Sequence, residues 1–182
     1  WSTDGTAEGT RLLSNIRSDD GTADSDLCLL AALPDGVLFL RYDPEKGQTI
    51  WRSDGTPEGT RPVRDVGFGW SPGCEIWGGR YAGTLGERVL VSLSDGGVLG
   101  QEPWVSDGTP EGTGVLEDIA PGPDSSEPRE FTPFAGGLVF SAQDPAHGRE
   151  LWWTDGTAEG TALVEDALDG PDSLEPQYLT PL

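Results

Sequence analysis

Trp152-Trp-Thr-Asp-Gly-Thr-Ala-Glu-Gly-Thr161 decides the reading of this chain, because it occurs four times. The other copies are Trp1-Ser-Thr-Asp-Gly-Thr-Ala-Glu-Gly-Thr10, Trp51-Arg-Ser-Asp-Gly-Thr-Pro-Glu-Gly-Thr60 and Trp104-Val-Ser-Asp-Gly-Thr-Pro-Glu-Gly-Thr113, at spacings of 50, 53 and 48 residues. The match extends beyond this core. A Gly stands four residues before the Trp at Gly47, Gly100 and Gly148, with Asp43, Asp95 and Asp144 a little earlier. Asn15, Asp65, Asp118 and Asp166 fall five residues past the last Thr. A period of roughly 40–50 residues signals a solenoid, a propeller or an array.

The unit from Gly137 to Leu182 reads as β-structure throughout. Gly137–Ala142 is a short β-rich run, and Asp144-Pro-Ala-His-Gly148 turns it into Glu-Leu-Trp-Trp-Thr. Asp155-Gly156 is a hairpin signal, Thr161–Asp166 a third strand, and Gln177–Leu182 a fourth that closes the unit. Four antiparallel strands per unit make the blade of a β-propeller, whereas the helical repeat classes drop out. The expected fold is therefore all-β and propeller-like, one repeat domain over 1–182 with units 1–50, 51–103, 104–151 and a partial 152–182. Strand by strand, this predicts three whole blades preceded by one that lacks its first strand. That gap is explained either by a longer parent chain or by another molecule pairing with the open edge.

Glu150-Leu-Trp-x-Thr-Asp-Gly-Thr-x-x-Gly-Thr161 resembles the ELWxxDGT repeat of large secreted or surface-anchored bacterial proteins, and Asp118-Ile-Ala-Pro-Gly-Pro-Asp-Ser-Ser-Glu-Pro128 resembles its downstream consensus. The resemblance spans essentially the whole chain and implies a propeller-like protein outside the cytoplasm. The first copy departs from it at Ser18-Asp19 and the last at Asp169-Gly170. The second departs over Gly67–Cys74.

Composition narrows the function classes. There are 11 Lys+Arg against 32 Asp+Glu, a net charge of −21, which repels a phosphate backbone and argues against nucleic acid. Gly (27) and Pro (15) reach roughly twice their ordinary share, poor material for helices. No apolar run reaches the roughly 18 residues of a membrane span.

The recurring residues read first as structure. Trp1, Trp51, Trp104 and Trp152 suit the wedge between adjacent blades, with sugar platforms as the competing reading. Asp4, Asp54, Asp107 and Asp155 suit turns whose side chain accepts N–H bonds two residues on. Four identical sites argue against catalysis, which needs unlike groups converging once. The lone His147 sits in a turn, and no Gly-x-Ser-x-Gly elbow accompanies it.

Asp43, Asp95 and Asp144, with the acidic runs 19–26, 124–127 and 144–150, are candidate Ca²⁺ ligands, although none has EF-hand spacing. No other cofactor is expected. Cys28 and Cys74 occupy the position of Arg129 in their repeats and are read either as a disulfide or as two buried thiols.

The leading expectation is a non-enzymatic secreted or cell-surface scaffold or adhesion module, binding protein or polysaccharide and self-associating as an oligomer or filament. A lectin using Phe68, Trp70 and Trp77 is the alternative, and a hydrolase the third.

Overall fold

The computed structural model describes residues 2–13, 27–43, 45–69, 81–166 and 170–180. It is all-β, with three four-stranded antiparallel sheets and no helix among the described residues. The first sheet holds β1 (Leu27–Leu33), β2 (Gly36–Asp43), β3 (Gly47–Ser53) and β4 (Arg61–Gly67), paired in sequence order. The second holds β5 (Ala82–Leu85), β6 (Arg88–Ser94), β7 (Gln101–Ser106) and β8 (Gly114–Val115). The third holds β9 (Arg129–Phe134), β10 (Gly137–Asp144), β11 (Gly148–Thr154) and β12 (Ala162–Glu165).

The second strand of each sheet explains why the sequence alternates poorly. Val-Leu-Phe-Leu in β2, Val-Leu-Val-Ser-Leu in β6 and Leu-Val-Phe-Ser-Ala in β10 are apolar on both faces, because each sheet has a packed neighbour or an apolar surface on either side. The last strand of the first sheet, β4, carries Arg61, Arg64 and Asp65 at exposed positions and buries only Val63 and Val66.

The sheets stack face to face. One core layer joins Leu30, Leu38, Leu40, Ile50 and Val63 of the first sheet to Ala82, Val89, Val91 and Trp104 of the second. The next joins Leu90, Leu116 and the partly buried Val105 to Phe131, Leu138, Phe140 and Trp152 of the third. Register repeats with the sequence: the recurrent Trp opposes Phe39, Val91 or Phe140 on the second strand.

The phase of the unit differs from the sequence reading. Leu27–Leu33 and Arg129–Phe134, at the position read as the closing strand of a unit, pair forward and open the next sheet. Tight turns force this. At Ala135-Gly136 both residues have positive φ (50° and 82°), the twist that suits a two-residue hairpin. The Trp-to-Trp units therefore cut every sheet through its third strand. Gln177–Thr180 correspondingly lies outside any strand, although Glu175 and Tyr178 repeat the positive φ of Glu127 and Glu130. The first copy contributes the bridge Ser2↔Arg11, at the repeat position of Arg52↔Arg61.

Candidate functional site

Each Asp-Gly-Thr segment folds into the same closed network. In the third copy the Asp107 carboxylate accepts the Thr109 N–H at 2.8 Å and its hydroxyl at 2.7 Å. The Thr109 hydroxyl oxygen then accepts the Gly112 N–H at 3.0 Å, and the Thr113 hydroxyl donates to the Thr109 carbonyl at 2.6 Å. Ser106 and Thr113 share a hydroxyl bond at 2.6 Å that ties the two strands together. The set recurs around Asp4, Asp54 and Asp155, every partner unchanged in position.

Two glycines are dictated by it. The residue after the Asp takes φ of 82–90°, and a Cβ on Gly112 would lie 2.1 Å from the Asp107 carboxylate. The bonds from Thr6, Thr56 and Thr157 hold Asp4, Asp54 and Asp155 below the usual carboxylate range. At Asp107 burial pushes upward, and the bonds from Thr109 outweigh it.

The three earlier aspartates cap the turn between second and third strands. Asp43 accepts N–H bonds from Glu45 and Lys46, Asp95 from Gly97, Val98 and Leu99, and Asp144 from Ala146 and His147. The His147 ring nitrogen also lies 2.8 Å from Asp144, a bond that raises the imidazole pKa. Among the described residues no three His, Cys, Asp or Glu side chains converge as a metal-holding group.

Sequence reasoning missed the buried acids. Glu102 and Glu150 each stand two residues before the Trp, and both are fully buried. Glu102 accepts the N–H groups of Ile119, Ala120 and Ser126 and the Ser126 hydroxyl, pinning the loop 119–126 to β7. Burial lifts its pKa to about 7 against these four donors. Glu150 accepts the Leu174 N–H at 3.1 Å in the equivalent loop. The signal was present in the recurrence, but a Glu beside a charged surface reads as solvated.

Between these loops lies a polar region. Tyr81, Ser94, Gln101, Ser125, Glu127 and Arg129 line a cavity of about 370 Å³, and Ser125 is shared with a second cleft of about 360 Å³. Beside them the buried Arg149 guanidinium donates to the Glu127 carbonyl (3.0 Å) and carboxylate (2.9 Å). Burial and the nearby Arg129 charge lower its pKa.

The recurrent indoles differ in setting. Trp104 is 3% exposed between two sheets, with the Arg64 guanidinium 5.8 Å above its ring. Trp152 is half-buried against the second core layer. Trp51 stacks on Phe39 at 6.2 Å. The indole N–H groups of all three are buried without a hydrogen-bond partner, as apolar packing would leave them.

Trp1, Trp70, Trp77 and Cys74 lie outside the described residues. Phe68 is 57% exposed. Cys28 is disulfide-bonded, and the sequence contains one other cysteine, Cys74. No family model, curated protein or solved structure matches the chain.

Proposed function

We propose that the chain is a non-enzymatic extracellular scaffold or adhesion module whose sheets follow one another as propeller-like blades and whose loops meet protein or polysaccharide at the cell surface. The observation that carries this reading is the fate of the recurrent aspartates. Asp4, Asp54, Asp107 and Asp155 each commit one carboxylate oxygen to their own turns, and Asp43, Asp95 and Asp144 to theirs. Such residues make a rigid frame whose variable loops are left for recognition. The ELWxxDGT resemblance and the disulfide at Cys28 agree with an oxidising compartment.

The test is saturable binding of the labelled chain to cell-envelope protein and polysaccharide fractions. Binding that saturates, without turnover of the bound material, supports the scaffold. No saturable binding to either fraction contradicts it.

A second reading places a carbohydrate in the polar cavity walled by Tyr81, Gln101, Ser125 and Arg129, one aromatic face among several hydrogen-bonding groups. A glycan array tests it. Hits lost in Tyr81→Ala support it, and an array without hits removes it.

A further inference from the structure

The three sheets carry corresponding apolar positions on the face turned towards the next sheet, and the third leaves the outer ones open while Val139, at the position of Leu38 and Leu90, is 9% exposed. In the first sheet these are Leu33, Leu38, Ile50 and Val63, which are 8, 0, 0 and 7% exposed beneath the second sheet. In the second, Leu90 and Leu116 are 0 and 5% exposed beneath the third, with Leu85 packed beside them. At the same register positions of the third sheet, Phe134 is 48% and Val164 53% exposed, and Leu151 is half-buried.

These side chains, with Val139 and Trp153, line a groove of about 500 Å³. Trp153 is held in place there: its indole N–H donates to the Phe134 carbonyl at 3.2 Å, and its ring lies over Gly137, where a Cβ would meet it at 2.7 Å.

Elsewhere in the molecule this face is covered twice, in the same way each time. The cover is the opposite face of a following sheet, carrying an apolar residue of the second strand and the recurrent Trp: Val91 with Trp104, then Phe140 with Trp152. The remaining face of that kind belongs to the first sheet, where Phe39, itself 9% exposed, stacks on the half-buried Trp51 and Leu29 beside them is 60% exposed.

We propose that the open face of the third sheet docks the first sheet of a second copy of this chain, continuing the sheet-to-sheet packing from one molecule to the next. The contact runs through sheet faces, not through a strand edge. Its two sides are different surfaces, so the assembly is head-to-tail, growing into a filament or closing into a ring. Each copy carries a charge of −21, so repulsion opposes docking at low salt and screening favours it. The proposal deepens the scaffold reading by naming one partner, and it fails separately from it: mass measurements test the contact, envelope binding tests the scaffold.

Sedimentation velocity of the whole chain, with the single-face variants Val164→Glu and Leu29→Glu, tests it. The wild type gains mass with concentration, and more so as NaCl is raised from about 0.05 to about 0.5 M. Each variant alone has one spoiled face. Val164→Glu retains the Trp51 face and Leu29→Glu the Trp153 face, so each alone stays monomeric while an equimolar mixture forms dimers and nothing larger. Both substitutions fall on exposed positions, and unchanged urea midpoints at high dilution confirm that the variants fold. A wild type that stays monomeric at the highest concentration overturns the proposal. So does a mixture that stays monomeric, or a variant that dimerises alone.

Discussion

Replacing Glu102 by Ala removes the one acceptor on which three backbone N–H groups and a hydroxyl converge. The site is closed to water, and Ile119, Ala120 and Ser126 would keep their amides pointed at an empty space. An orphaned buried donor costs about 1–3 kcal/mol. The three amides sit on one loop that can shift and partly rehydrate once Glu102 is gone, so about 3 kcal/mol or more is expected rather than the full sum. Glu102→Gln keeps the shape and one carbonyl oxygen but turns an NH₂ towards the donors, and loses about 1–3 kcal/mol.

Urea unfolding followed by tryptophan fluorescence reads both variants. The pH dependence sharpens the test. Burial raises the folded pKa from 4.5 to about 7, so the folded state holds this proton more tightly than the unfolded one. The contribution is fully present below about pH 4.5 and is lost as pH rises through 7. Wild type therefore loses stability between pH 5 and pH 8 relative to Glu102→Gln, which has no proton to release. Equal slopes for the two proteins over that interval, or a Glu102→Ala midpoint equal to wild type, would refute the reasoning.

Gly112→Ala forces a Cβ into the Asp107 carboxylate and should cost about 2 kcal/mol or more in urea midpoint, while Gly114→Ala, with nothing within 4 Å, stays near neutral. Acid acts in the opposite sense to Glu102. Asp4, Asp54 and Asp155 titrate below their unfolded value of 3.8, so their contribution holds above that pH and disappears as pH falls through the folded values. A circular-dichroism titration should show a further loss of structure below about pH 4 that Asp155→Asn reduces. Trp104→Ala empties a fully enclosed site and costs about 3–5 kcal/mol in urea unfolding, whereas Trp51→Ala, on a half-open face, costs clearly less.

The period and the turns were legible because each network from Ser106 to Thr113 closes within eight residues, so nothing distant has to be known. The strand type was legible for the same reason, since Asp-Gly turns and β-branched runs are local signals. Phase was not read correctly, although Pro34-Asp35 and Ala135-Gly136 form the tight turns that carry one unit's last strand into the next sheet. Those turns competed with a stronger Trp-anchored frame. Glu102 was missed because its partners lie 17 to 24 residues away, in a loop whose Pro and Gly read as a simple connection. The open face of the third sheet was beyond sequence altogether: Val63 and Val164 are the same residue at the same repeat position, and only packing separates them.

That pair gives the most direct check on stacked, self-similar sheets. Val63 is 7% and Val164 53% exposed, so the two truncations Val63→Ala and Val164→Ala differ in burial alone. At about 0.8 kcal/mol per buried carbon plus a cavity term, Val63→Ala should lose about 2 kcal/mol in urea unfolding at high dilution, and Val164→Ala under about 0.5 kcal/mol. Equal losses at the two positions would contradict the account.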